Sequence, residues 1–199
     1  MLLATALPKK QTVDYLQQFA DYITASKNKT LRNWTIEQLH IQPYQHILEI
    51  GFGSGNTLHE VAKKLQPGFL AATEESVHYY QQALRRNKKF IQQESMQLHL
   101  GAIENLPYPN YYFHSIYIGN IYASWAEPQF QFMQLAQLLK SNGKLLTVFQ
   151  QRSSVTEEQL WDTAEKIQHE YHEAGLTDIR ISFRDMGYTD AIAVVGSKE

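Results

Sequence analysis

Ile47-Leu48-Glu49-Ile50-Gly51-Phe52-Gly53-Ser54-Gly55-Asn56-Thr57 joins an apolar run, an acid and three alternate glycines, a coincidence found nowhere else in the chain. Residues 47–50 read as a buried strand. The glycines permit positive φ and leave the backbone bare, so the chain can fold tightly into a helix and a ligand can lie directly on the turn. The free N–H groups and positive dipole end of that helix would face the ligand. The plain alternative is a strand-to-helix turn with no ligand, but three glycines in five positions cost much conformational entropy for a turn alone.

Beyond the glycines, Leu58, Val61, Ala62 and Leu65 recur at helical spacing until Pro67-Gly68 stops them. Residues 69–72 read as a second buried strand ending at Thr73-Glu74-Glu75. Ser76 then caps a helix carrying Val77, Tyr80, Ala83 and Leu84 on one face. Strand, helix, strand, helix implies a parallel sheet with helices on both faces and a ligand crevice at the carboxyl ends of the strands. Glu74 falls at such an end, where a carboxylate can accept hydrogen bonds from both hydroxyls of a ribose. Its neighbour Glu75 is a candidate for the same role, and a solvated acid at a helix start is the alternative.

Met96-Gln97-Leu98-His99-Leu100 alternates as a third strand, residues 113–119 give a fourth, and Glu127-Pro128 opens a helix with Phe130, Met133, Ala136 and Leu139 on its apolar face. Ser141-Asn142-Gly143 reads as a turn into a fifth strand at residues 144–149. A long helix over residues 156–174 is closed by Gly175. Ile179, Ile181 and Phe183 alternate in a sixth strand. The link from there to residues 191–195 is too short for a helical crossover, so the last strand must run antiparallel. Upstream, residues 12–39 show the spacing of two helices broken near residues 26–29; the aromatics of the first are expected to be core, with a lid over a substrate as the alternative.

A chain of 199 residues with 43% hydrophobic content can bury one full core, and a single domain over residues 1–199 is expected, with a helical segment at 1–40 and an α/β core at 41–199. The net charge of −2 disfavours nucleic acid as a partner. Without cysteine there is no disulfide, thiolate nucleophile or Cys-based zinc site, which fits a cytoplasmic protein. Pro8-Lys9-Lys10 ends the apolar opening too early for a signal peptide, and no run approaches a membrane span. His169 and His172 stand at i, i+3, the spacing of a metal pair, but a solvated helix face is the expectation and no metal is assigned.

Together these residues resemble the class I S-adenosylmethionine-dependent methyltransferases, in particular the small-molecule, ubiquinone-biosynthesis-like (type 11) group, over about residues 31 to 196. Residues 48–55 look like the family's first motif, Glu74 like its ribose-binding acid, and Gly101 to Tyr108 like its glycine-aspartate-alanine-glutamate-Leu-Pro-Phe loop. Asn120-Ile121-Tyr122 with Trp125 is similar to the segment after the fourth strand, and residues 138–143 to the leucine-lysine-proline-glycine-glycine turn. The resemblance implies a Rossmann-like, seven-stranded, mostly parallel sheet whose last strand is antiparallel.

It also implies S-adenosyl-L-methionine as cofactor and in-line methyl transfer to a small-molecule acceptor. On it, Glu49 orients the amino-acid portion of the cofactor, Gly51, Phe52, Gly53 and Gly55 form the loop, Glu74 and Glu75 stand at the ribose, and Ala102 and Ile103 at the adenine. Asn120 and Tyr122 sit where the methyl is delivered, Tyr122 either orienting a substrate or packing; no catalytic residue is assigned, and oligomeric state stays open. Ala102 replaces an aspartate that hydrogen-bonds the adenine amino group, a loss of about 1 kcal/mol, or tenfold in affinity at most. Ser141-Asn142 and His114 also depart from the family, in a turn and at the strand's opening end.

A dinucleotide site is disfavoured by the glycine register: Gly-x-Gly-x-x-Gly would need its third glycine at Asn56, and here it is Gly55. The Asn/Asp-Pro-Pro-Tyr/Phe motif used on amide or base nitrogens is absent, since Ile121-Tyr122 stands in its place. The rival functions are a non-catalytic S-adenosylmethionine-binding or protein-interaction module on the same fold, motivated by Ala102, and a module that binds no nucleotide.

Overall fold

The computed structural model describes residues 29–119, 121–150, 156–187 and 190–199. In chain order the helices are α1 (Lys29–Leu39), α2 (Asn56–Leu65), α3 (Val77–Arg86), α4 (Lys88–Gln92), α5 (Pro128–Leu138) and α6 (Glu157–Glu173). The strands are β1 (His46–Ile50), β2 (Phe69–Glu74), β3 (Met96–Leu100), β4 (Phe113–Ile118), β5 (Leu139–Gln150), β6 (Leu176–Asp185) and β7 (Asp190–Lys198), and two 3-10 turns cover Ile103–Asn105 and Tyr122–Ser124. The strands form one seven-stranded sheet in the order β3-β2-β1-β4-β5-β7-β6. All pairs from β3 to β5 are parallel, and β7 runs antiparallel to both β5 and β6, as the short link before it requires.

Alternation along each strand sends successive side chains to opposite faces. Ile47 enters one core with α1 to α4, while Leu48 and Ile50 enter the other, beneath α5 and α6. The apolar stripe of α2 is buried as its spacing requires. Ser76 caps α3 by accepting from the Tyr79 N–H at 3.4 Å. Thr156 and Gln159 close a capping box on α6, and Gly175 follows it at φ 79°.

Three expectations need correction. On α5 the buried side chains include Phe132, Leu135 and Leu138, whereas Phe130 and Met133 are exposed and Leu139 already belongs to β5. Val77 is likewise exposed, and α3 turns Tyr79 and Ala83 inward. The turn at residues 141–143 lies inside β5: pairing passes from Phe113–Leu139 to Ser115–Lys144, and the residues between bulge out with Asn142 at φ 63°. A Cβ on Gly143 would lie 2.7 Å from the Lys140 carbonyl, so the bulge needs glycine there. The first helix expected upstream of α1 falls outside the described residues.

Candidate active site

Strand order reverses between β1 and β4, since β2 and β3 lie on one side of β1 and β5 to β7 on the other, and the crevice of such a sheet opens there, at the carboxyl ends. The loop after β1 occupies that place. Gly51, Gly53 and Gly55 have φ of 71°, 52° and 74°, the left-handed region that glycine tolerates. Two of them are also required by packing. A Cβ on Gly51 would lie 2.6 Å from Cγ2 of Ile121, and one on Gly55 2.7 Å from Cβ of Ala83 on α3. The segment after β4 therefore lies directly on the start of the loop, and α3 directly on its end.

Glu74, the last residue of β2, holds the middle. Its Oε2 accepts from the Gly53 N–H at 2.8 Å and its Oε1 from the Ser76 N–H at 3.0 Å. Each oxygen keeps capacity for another donor. Burial pushes its pKa upward, backbone hydrogen bonds from Ser76, Gly53 and Glu75 pull it down, and the like charge of the Glu75 side chain raises it again. Thr73 donates from Oγ1 to the Gly101 carbonyl at 2.5 Å, and the Gly101 N–H donates to the Glu74 carbonyl at 3.0 Å, so the ends of β2 and β3 are tied beside the loop. Glu75 is exposed at the rim.

Glu49 stands on β1 directly beside Tyr117 of β4, and the Tyr117 hydroxyl donates to its Oε2. Both are buried, with 4% and 1% of their surface exposed. Burial, only partly offset by that hydrogen bond and reinforced by the charge of Glu74, pushes the Glu49 carboxyl up to about 8. Sequence reading did not find Tyr117, because nothing in a single sequence gives the register in which β4 meets β1.

Nor did it find the end of α3. Arg86 donates to the Ser54 carbonyl, and the fully buried Asn87 donates from Nδ2 to the Gly55 carbonyl at 3.2 Å and the Ala83 carbonyl at 3.1 Å. With both Nδ2 hydrogens so engaged, Oδ1 faces His59 Nδ1 at 3.2 Å, and that ring nitrogen carries the proton. An asparagine after a helix reads as an ordinary C-cap; its burial was the missing signal.

The remaining sequence candidates divide. Phe52 is buried and turns its ring toward Tyr80, leaving only its backbone on the loop. Ala102 heads the turn at Ile103–Asn105, and the Ile103 side chain is buried in the core beneath, leaving its backbone N–H for a ligand. Tyr122 is 5% exposed, stacked on Phe132 at 5.8 Å with Trp125 edge-on, and burial and the Glu170 carboxyl raise its pKa. It sits as packing. Asn120 lies outside the described residues, as do Gln151, Arg152 and Ser153. His114 lies at the opposite end of the sheet, where its Nδ1 accepts from the His46 N–H at 2.9 Å. His169 and His172 are exposed, and no group of three metal-ligating side chains occurs among the described residues.

Residues 47–143 match the family model described as a methyltransferase domain. The chain is 29% identical over 168 residues to the uncharacterized methyltransferase YdaC of Bacillus subtilis (strain 168), spanning 84% of this chain and 91% of that one. Among solved structures it is similar to a SAM-dependent methyltransferase from Aquifex aeolicus, with a TM-score of 0.69 and 13% identity over 90% of this chain and 98% of that one. The [4+2]-cyclase SpnF has the same TM-score of 0.69 and 13% identity, covering 85% of this chain and 80% of that one. At such identities structural likeness shows the fold alone; the chemistry is carried by the family match.

Proposed function

The chain belongs to the class I S-adenosylmethionine-dependent methyltransferases, and from that premise we propose that it methylates a small molecule in the crevice above β1, β2 and β4. The observation that carries the site assignment is the pair of buried acceptors. Two buried acids, Glu49 and Glu74, share the crevice; the charge acting on Glu49 is that of Glu74, and the charge acting on Glu74 is that of Glu75. Such a pair suits a ligand that brings its own positive charge. The bound cofactor supplies an electrophilic methyl group on a sulfonium, together with an ammonium on its amino-acid arm.

The chain's own residues then do the holding. Glu49 receives the ammonium, the bare backbone of Gly51 to Gly55 receives the amino-acid arm, and Glu74 accepts from the ribose hydroxyls with the lone pairs that Gly53 and Ser76 leave. Ile103 offers its backbone N–H to the base, where Ala102 contributes no side-chain acceptor. Ile121, packed on Gly51, excludes water from the reacting face. Since the electrophile comes with the cofactor, the protein's main contribution is alignment of donor and acceptor. A base is needed only for an acceptor that arrives protonated.

The acceptor is read as a small molecule because the net charge is −2 and no proline-rich acceptor motif follows β4. Among the described residues no helix is long and apolar enough to cross a membrane. We read the chain as one domain with its core at 41–199, acting in the cytoplasm. The test is a thermal shift with S-adenosylhomocysteine followed by a transfer screen with methyl-labelled cofactor against fractionated metabolites. A rise in Tm and label in a small-molecule fraction are expected. Label only in protein or nucleic acid would overturn the acceptor class, and an unchanged Tm would overturn the site.

A further inference from the structure

We propose that Tyr117 is a positioning residue that sets the charge state of Glu49, so that cofactor binding is coupled to release of one proton from Glu49. The inference rests on the reading of Glu49 as the acid that meets the cofactor's ammonium. Neither residue is on the surface: they are neighbours across the β1–β4 pairing, on the sheet face that also carries Ile47, Leu146 and Val148. The neighbour of Glu49 on β2 is Ala72, which has no polar group to offer. The groups that act on the carboxyl are the Tyr117 hydroxyl, which stabilises the anion by donating to it, and the Glu74 carboxyl, which opposes a second negative charge.

A carboxyl so buried, with a like charge nearby, holds its proton in the ligand-free protein near neutral pH; its pKa of about 8 agrees. An incoming ammonium reverses the balance. The balanced step is a neutral carboxylic acid plus an ammonium giving a carboxylate–ammonium pair and one proton to solvent. Tyr117 keeps the cost of that ionisation low enough for binding to proceed, since its hydroxyl stabilises the charged form more than the neutral acid. Without it the same step would need a higher pH.

Titration calorimetry of the full chain with S-adenosylhomocysteine, at several pH values and in buffers of differing ionisation enthalpy, tests this. Close to one proton should be released per ligand near pH 7 and less at pH 8.5, and the Kd should weaken by up to about tenfold for each unit that pH falls below 7.5. Tyr117→Phe, which keeps the ring, should weaken binding several-fold at pH 7 and recover toward the parent at pH 8.5. Loss of affinity by the same factor at every pH would show a merely structural role and overturn the proposal. Glu49→Gln should abolish the proton release.

A readout independent of the cofactor is carboxyl NMR of the ligand-free chain, with Glu49→Gln identifying the signal. A titration above pH 7 that moves upward in Tyr117→Phe is expected. Titration of Glu49 at the ordinary carboxylate pH would overturn the proposal even if the ligand binds. Absence of binding with the expected carboxyl titration would instead overturn the cofactor role of Glu49.

Discussion

Glu74 shows how much one residue can do at a strand end. It was legible in the sequence because the short apolar segment before it and the Ser76 cap after it fix its position. Its second task was not legible: through the Gly53 N–H it shapes the loop from the neighbouring strand, across a separation of 21 residues. Glu74→Ala should therefore weaken S-adenosylhomocysteine binding by roughly 10- to 100-fold, the range expected for losing hydrogen bonds to a charged acceptor. Glu74→Gln retains one acceptor oxygen but turns an NH2 group toward either the Gly53 or the Ser76 N–H, so it should rescue only part of the loss. An unaltered Kd in Glu74→Ala, measured by calorimetry, would remove both the ribose assignment and the loop-shaping role.

Among elements, α3 is the one whose function the sequence concealed. Its apolar spacing marked it as a helix against the sheet, and its last residue and the cap after it in fact carry two donors to successive loop carbonyls, Arg86 to Ser54 and Asn87 to Gly55. Asn87→Leu takes one of two donors from the Gly55 carbonyl, which keeps the His59 N–H, and removes the acceptor facing His59 Nδ1, so it should lower Tm by roughly 2 to 12 °C, at 1–3 kcal/mol per lost partner and 2–4 °C per kcal/mol. Arg86→Ala, on an exposed side chain, should leave Tm nearly unchanged yet speed amide hydrogen exchange at Ser54 to Asn56. Equal exchange in Arg86→Ala and the parent would mean that Arg86 does not hold the loop. The misread face of α5 has a different origin. Phe130, Met133 and Ala136 form one helical series and Phe132, Leu135, Ala136 and Leu138 another, and periodicity alone cannot choose between two apolar series on one segment. The choice is made by how α5 lies on β5 and α6. The same kind of information, strand register, hid Tyr117. The sheet itself was legible almost throughout, because β1, β2 and β4 are short apolar runs, β3 and β6 alternate, and the short link before β7 forces its direction.

For the whole molecule, the buried titratable groups set two opposing pH trends. Glu49, Glu74 and Glu170 all have pKa values raised, chiefly by burial, so the folded chain binds more protons than the unfolded one and stability falls as pH rises; for Glu49 the window runs from the usual 4.5 to about 8. His46, His99 and His114 have values lowered from 6.5, chiefly by burial, so they favour the fold above that pH and oppose it as pH drops through 6.5. Above pH 7 these three histidines are largely neutral in both states, and Glu49, pushed up to about 8, shapes the slope. The ligand-free chain should lose Tm steadily between pH 7 and 8.5, and Glu49→Gln, which carries no charge to bury, should lose markedly less over the same interval. S-adenosylhomocysteine should reverse the trend, because its ammonium converts the buried Glu49 charge from a burden into half of an ion pair, so the ligand-induced rise in Tm should grow with pH across the interval in which the free chain weakens. Parallel Tm curves for the parent and Glu49→Gln would show that Glu49 is already ionised in the free fold, and a ligand-induced shift that does not vary with pH would place the ammonium elsewhere.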